Sequence, residues 1–143
     1  MLVGLGHVDL VCADVDRSLE FYALVFGELG LQQPHEERGE RGETIYYLRF
    51  PQAGSGSIGL RQALKDQAFE LYAPGFHHVA VAVERKVDVD LVHEATVAAR
   101  AEILHAPRLW PVYHPDYYAT FFHDPDGFRL EVAASRDARI GSS

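Results

Sequence analysis

Two stretches of this chain, GLGHVDLV (Gly4 to Val11) and GFHHVAVA (Gly75 to Ala82), align at a constant offset of 71, laying His7 on His78 and Val8 on Val79. A second pair, IYYLRFPQAGSGSIGL (Ile45 to Leu60) and YYATFFHDPDGFRLEV (Tyr117 to Val132), aligns at an offset of 72, pairing Tyr46 with Tyr118, Phe50 with Phe122 and Ile58 with Leu130. A repeat constrains the fold strongly, because each copy must be one supersecondary unit. Two copies in 143 residues are each too small to bury much core alone, so they are expected to pair into one curved sheet.

Within each copy a strand leads into a helix and then into a group of strands. In the first, Asp14 or Asp16 caps a helix running to Phe26, with Leu19, Tyr22 and Phe26 along one side and Gly27 as its stop. In the second, Asp88 or Asp90 caps a helix through about Ile103, with Leu91, Ala95, Ala98 and Ala99 inward. Short strands are predicted at Gly30 to Gln33 and Leu104 to Pro107. Each long aligned segment reads as a hairpin, the second turning at Asp124-Pro-Asp-Gly127 and the first more loosely at PQAGSG. The units are placed at 1–71 and 72–135, with a linker at Tyr72 to Pro74. From Ala134 the chain reads as solvated, with 136–143 a mobile tail.

Composition narrows the partners. A formal charge of −8 lacks the clustered Lys and Arg that bind nucleic acid or an anionic membrane surface. Cys12 is the only cysteine, which precludes an intrachain disulfide. No basic leader precedes an apolar stretch and no run approaches a membrane helix, so a soluble cytoplasmic protein is expected.

Strand alternation assigns the histidines to a face. Val79, Val81 and Val83 suit packing beneath a helix, leaving His78, Ala80 and Ala82 on the other side; His7, Asp9 and Val11 correspond in the first copy. In the last strand Leu130 and Val132 face the core and Arg129, Glu131 and Ala133 the opposite side. His7, His78 and Glu131 thus share a face, and two imidazoles with one carboxylate are a common set for a divalent first-row ion with open positions. His77 falls on the valine face, where a structural role is expected.

GHVDLVCADVDRSLEFY (Gly6 to Tyr22), FHHVAVAV (Phe76 to Val83) and YYATFFHDPDGFRLEV, in this order and spacing, resemble the vicinal oxygen chelate superfamily, which includes glyoxalase I, extradiol dioxygenases, fosfomycin resistance proteins and bleomycin-binding proteins. The resemblance implies an α+β fold of tandem βαβββ modules, with helices on the outer face of a curved mixed sheet. It also implies metal ligands from the first and last strand of each module. Three such positions are His7, His78 and Glu131; the fourth is Gly59, which has no side chain to offer.

A ligand that doubles as a base in glyoxalase I corresponds to Gly59, so the resemblance points away from glutathione-dependent chemistry and toward an extradiol dioxygenase-like enzyme. Glyoxalase-like lyase or isomerase and fosfomycin-type transferase are the alternatives. The opposing class is a metal-free binding protein of the bleomycin-resistance kind. Dioxygenases of this kind place a tyrosine where this chain has Phe121, and the transferases a threonine where it has Asp9. His114 and Tyr118 are therefore the candidate acid-base residues, and Arg61, Tyr47, Arg49, Trp110, Tyr113 and Phe121 the candidate substrate contacts. Fe(II) is the favoured ion, with Mn, Zn or Ni as alternatives. The expected partners are a small, aromatic or anionic substrate and a second copy of the chain in a homodimer.

Overall fold

A computed structural model describes residues 1–134; the predicted tail, 136–143, lies outside the described residues. The chain divides into two compact units, the first ending at Gln67 and the second beginning at Ala68. Each is α+β with one helix and a four-stranded mixed sheet.

In the first unit β1 (His7–Cys12) leads into α1 (Val15–Phe26), followed by β2 (His35–Arg38), β3 (Thr44–Arg49) and β4 (Ser57–Gln62). The sheet order is β1-β4-β3-β2, with β1 parallel to β4 and the other pairs antiparallel. Asp14 caps α1 by accepting the Arg17 N–H at 3.1 Å. Ser18, Phe21, Tyr22, Val25 and Phe26 are buried, and the helix packs against β1 and β4. The expected stop at Gly27 is softer than predicted. Gly27 keeps helical dihedrals, a 3₁₀ turn runs to Leu29, and Gly30 takes the left-handed conformation (φ 92°) that ends it. Those residues are thereby used in the turn, so β2 begins at His35 rather than at Gly30. Its HEER sequence is wholly exposed, as suits a charged sheet edge.

The second unit follows the same plan: β5 (Val79–Val83), α2 (Lys86–Ala98), β6 (Ile103–Leu109), β7 (Tyr118–His123) and β8 (Arg129–Ala134), in the order β5-β8-β7-β6. Here α2 starts earlier and ends earlier than expected. Asp88 is not the N-cap but the third helical residue, and its carboxylate accepts the Arg85 N–H at 3.1 Å. That shift rotates the buried face onto Val89, Val92 and Thr96, leaving Ala98 exposed and Leu91, Ala95 and Ala99 half-buried. Arg100, at φ 56°, breaks the helix, and Ile103 opens β6. Ala134 is 2% exposed within β8, so the sheet extends into what reads as solvated tail.

The turn Asp124 to Gly127 closes as predicted. Asp124 Oδ1 accepts the N–H groups of Asp126 and Phe128 at 2.8 and 2.9 Å, while Gly127 supplies φ 81°. This loop spans 124–128, two residues fewer than the 50–56 loop of the first unit. The difference alters the repeat. The last strands keep the offset of 72, but Gly59 pairs with Tyr47 and Glu131 with Phe121, so the strands before them are related by 74 and Tyr47 corresponds to Phe121.

No helix among the described residues is long and apolar enough to cross a membrane.

Candidate functional site

In the second unit, the pairing of β5 with β8 aligns Ala80 with Glu131 and brings His78, one residue ahead of the strand, to the same side. His78 Nε2 lies 3.0 Å from Glu131 Oε2. That is a hydrogen-bond distance, and an imidazole nitrogen with a carboxylate oxygen this close could also serve together as donors to one ion. Glu131 is 1% exposed, and a buried carboxylate requires partners. One is Tyr117, whose hydroxyl donates to Oε1 at 2.6 Å, leaving Oε2 toward His78. Burial, then the hydrogen bond to Glu131, raises the Tyr117 pKa far above the usual phenol range, keeping it a donor.

The phenol at the carboxylate is thus Tyr117, not Tyr118. Alternation along β7 turns Tyr118 toward α2, where its hydroxyl donates to Asp90 Oδ1 at 2.8 Å. The sequence held a signal for this, since Tyr117 and Phe121 share the parity of residues that face Glu131. His114 sits in an exposed turn, and its Nδ1 accepts the Asp116 N–H at 3.1 Å. Local bonding thereby occupies one of its two ring nitrogens.

Rings line the surroundings of the pair. Phe121, directly across from Glu131, has its centroid 6.2 Å from His78, 5.8 Å from His105 and 5.1 Å from Trp110. Trp110 is anchored by its indole N–H to Ala119 O at 3.1 Å, with the Arg108 guanidinium 3.7 Å from its ring centre. Tyr113 lies between Trp110 and Tyr117, tilted to both, with centroids at 6.5 and 5.2 Å. His105 had no sequence signal of its own. It enters because a bulge in β6 sets it opposite Phe121.

His77 departs from the face expected for it. The chain bends before β5, so strict alternation does not reach it, and its Nδ1 lies 2.8 Å from His78 Nδ1. Its Nε2 lies 3.2 Å from the Tyr72 hydroxyl and 3.4 Å from Arg129 Nη1. Desolvation, followed by the charges of Arg129 and His78, lowers its pKa and favours the neutral ring.

In the first unit, His7 opens β1 with its ring edge-on to Tyr47, centroids 5.4 Å apart. Tyr47 donates to Asp9 Oδ2 at 3.1 Å, and Arg61 pairs with that same oxygen and with Glu43 Oε1 at 3.2 Å. Arg61 and Tyr47 are therefore held by Asp9 on the face of Gly59, and Arg49 is exposed beside a shallow depression of about 450 Å³ lined also by Gln32, Phe50 and Ser57. Among the described residues no group of three or more His, Cys, Asp or Glu side chains is gathered to hold an ion; the second unit contributes its donors as a pair.

Two tandem βαβββ units, each with its first strand parallel to its last, define the class of the vicinal oxygen chelate fold. The chain belongs to the Glyoxalase/Bleomycin resistance protein/Dioxygenase superfamily, whose pattern it matches over residues 4–132. It is 25% identical over 142 residues to a probable lactoylglutathione lyase of Vibrio cholerae, covering 94% of this chain and 93% of that protein. It is also 25% identical to the Bacillus subtilis protein YqjT, over 90% of this chain and 96% of that one. A glyoxylase/bleomycin resistance protein/dioxygenase domain from Frankia sp. EAN1pec superimposes with a TM-score of 0.78 at 25% identity, covering 97% and 96% of the two chains. The fosfomycin resistance protein FosX of Listeria monocytogenes, complexed with Mn(II) and sulfate, shares the fold with a TM-score of 0.64 at 18% identity over 94% of each chain.

Proposed function

We propose that this protein is a divalent-metal-dependent enzyme acting on a small substrate that presents two neighbouring oxygens. The observation that carries this reading is the 3.0 Å approach of His78 Nε2 to Glu131 Oε2, with the remaining carboxylate oxygen already occupied by Tyr117. His78 and Glu131 are the ligands of the second unit, and His7 is the repeat-equivalent ligand of the first. A bound ion would supply Lewis-acid stabilisation of the negative charge that develops on the substrate oxygens. The chain's own part is to orient and to enclose. Tyr117 fixes the Glu131 carboxylate, while Phe121, Trp110 and His105 offer aromatic surface against which a planar ligand stacks.

That aromatic surface favours extradiol dioxygenase-like chemistry on a catechol, with Fe(II) as the ion. A glyoxalase-like lyase acting on a hemithioacetal is the second reading, supported by the Vibrio cholerae relative's name. A homodimer belongs to the same proposal. The test measures metal in protein purified without chelator, for wild type and His78→Ala, followed by oxygen uptake of the iron-loaded protein with a catechol panel. Stoichiometric metal in wild type and its loss in the variant are expected. Absence of metal from both, with aromatic ligands still bound, would sink the enzyme reading in favour of a binding protein. Metal without oxygen uptake, but with turnover of a glutathione hemithioacetal, would move the assignment to the lyase.

A further inference from the structure

Gly59 has no side chain at the position where the family places a fourth ligand, yet the space above it is filled. A Cβ built on Gly59 would stand 2.7 Å from Tyr47 Cε1 and 2.9 Å from Asp9 Cγ, and closer still to Asp9 Oδ1. The carboxylate of Asp9 occupies the place of the missing side chain.

Strand register shows why. Asp9 pairs with Gly59 across β1 and β4, and Ala80 pairs with Glu131 across β5 and β8. The offsets of 71 and 72 make these the same cross-strand pair in the two units. Each unit carries one carboxylate there, opposite a small residue that gives it room: the first on its leading strand, the second on its closing strand.

The two oxygens of Asp9 have different surroundings. Oδ2 is held by Arg61 and the Tyr47 hydroxyl, whereas Oδ1 is buried and has no hydrogen-bond partner. An ionised oxygen in that condition calls for a cation or donor. His7 Nε2 lies 3.9 Å from it, within the span of about 4.2 Å that two donors of one ion can reach. A ligating carboxylate with its second oxygen hydrogen-bonded is the usual arrangement at metal sites.

We propose that Asp9, through Oδ1, is the first unit's carboxylate ligand to the divalent ion, beside His7. This rests on the metal-dependent reading above, and gives the first unit a histidine and a carboxylate as its donors, as the second has His78 and Glu131.

The experiment titrates metal-free protein with Mn(II) by calorimetry and records the absorption spectrum of the Co(II)-saturated form. Asp9→Asn, which preserves shape, and Asp9→Ala are expected to bind Mn(II) at least about 10-fold more weakly and to change the Co(II) bands. Asp9→Ala combined with Gly59→Glu returns a carboxylate to the same cross-strand pair and is expected to restore binding. If wild type binds Mn(II) and Asp9→Asn does so within 2-fold with unchanged Co(II) bands, Asp9 is not a ligand, although the metal reading stands. If wild type binds neither ion, the metal reading itself fails. Should Asp9→Ala fail to fold by circular dichroism, Asp9→Asn and the double variant decide the matter.

Discussion

The Tyr117 hydroxyl donates to Glu131 Oε1 at 2.6 Å, and both residues are 1% exposed. Removing that donor leaves a carboxylate oxygen buried with no replacement from solvent, a loss on the order of 1–3 kcal/mol. Tyr117→Phe is therefore expected to lower the urea midpoint of the metal-free protein. Tyr118→Phe gives up a bond to the exposed Asp90 and should change stability by no more than about 0.5 kcal/mol. Equal effects from the two variants would contradict the assignment of Tyr117 to the site.

Asp88 ties the start of α2 to Arg85, and the guanidinium hydrogen bond lowers its pKa below the usual value. The charge of Glu84 acts on Arg85 as well. A depressed carboxylate contributes stability that is complete above its unfolded pKa, about 3.9, and is lost as the pH falls through the lower folded value. Asp88→Ala should thus cost about 1 kcal/mol at pH 7, in line with loss of a helix cap. The difference from wild type should shrink below about pH 4. Urea titrations at pH 7, 4 and 2.5 read this directly, and a difference that persists unchanged at the lowest pH would show that the carboxylate charge is not what stabilises the helix.

Gly59 and Gly27 predict opposite responses to the same substitution. A methyl group on Gly59 meets Asp9 and Tyr47, so Gly59→Ala forces the Asp9 carboxylate to move and should destabilise by about 1–3 kcal/mol. Gly27 has helical dihedrals and open space around its Cα, so Gly27→Ala should stabilise by about 0.4–1 kcal/mol through the unfolded chain. Thermal melts of both variants test the pair, and a neutral Gly59→Ala would mean that Asp9 is not fixed over that position.

What could be read in the sequence was whatever obeys a period. The repeat yielded both units, and alternation along β8 put Glu131 on the face of His78, where the structure has them 3.0 Å apart. Periodicity failed where the chain leaves a regular element. His77 lies before β5 and turns toward His78; the 3₁₀ turn after Phe26 displaces β2; the bulge in β6 delivers His105. A loop two residues shorter in the second unit slipped the strand equivalence, hiding the match of Tyr47 with Phe121. Alternation put Asp9 on the face of His7, but its relation to Gly59 stayed hidden, because that is a cross-strand pairing that no local pattern encodes.

The contact between His77 and His78 carries the last prediction. With 2.8 Å between the two Nδ1 atoms, one ring must donate and the other accept. For His78 Nε2 to be free to ligate, its Nδ1 must carry the proton and donate to His77; His77 then bears its own proton on Nε2, where the Tyr72 hydroxyl can accept at 3.2 Å. Arg129 supports the opposite arrangement. Its Nη1, 3.4 Å from the same nitrogen, can only donate, which puts the His77 proton on Nδ1 and leaves His78 donating from Nε2 to Glu131. His77→Phe is accordingly expected to weaken Mn(II) binding by about 10- to 100-fold, the effect usual for a partner that orients a metal-ligating histidine. Arg129→Met, by releasing the competing tautomer, should strengthen it. Calorimetric titration of both variants checks the opposed signs, and His77→Phe binding Mn(II) as tightly as wild type would show that His78 is oriented without its neighbour.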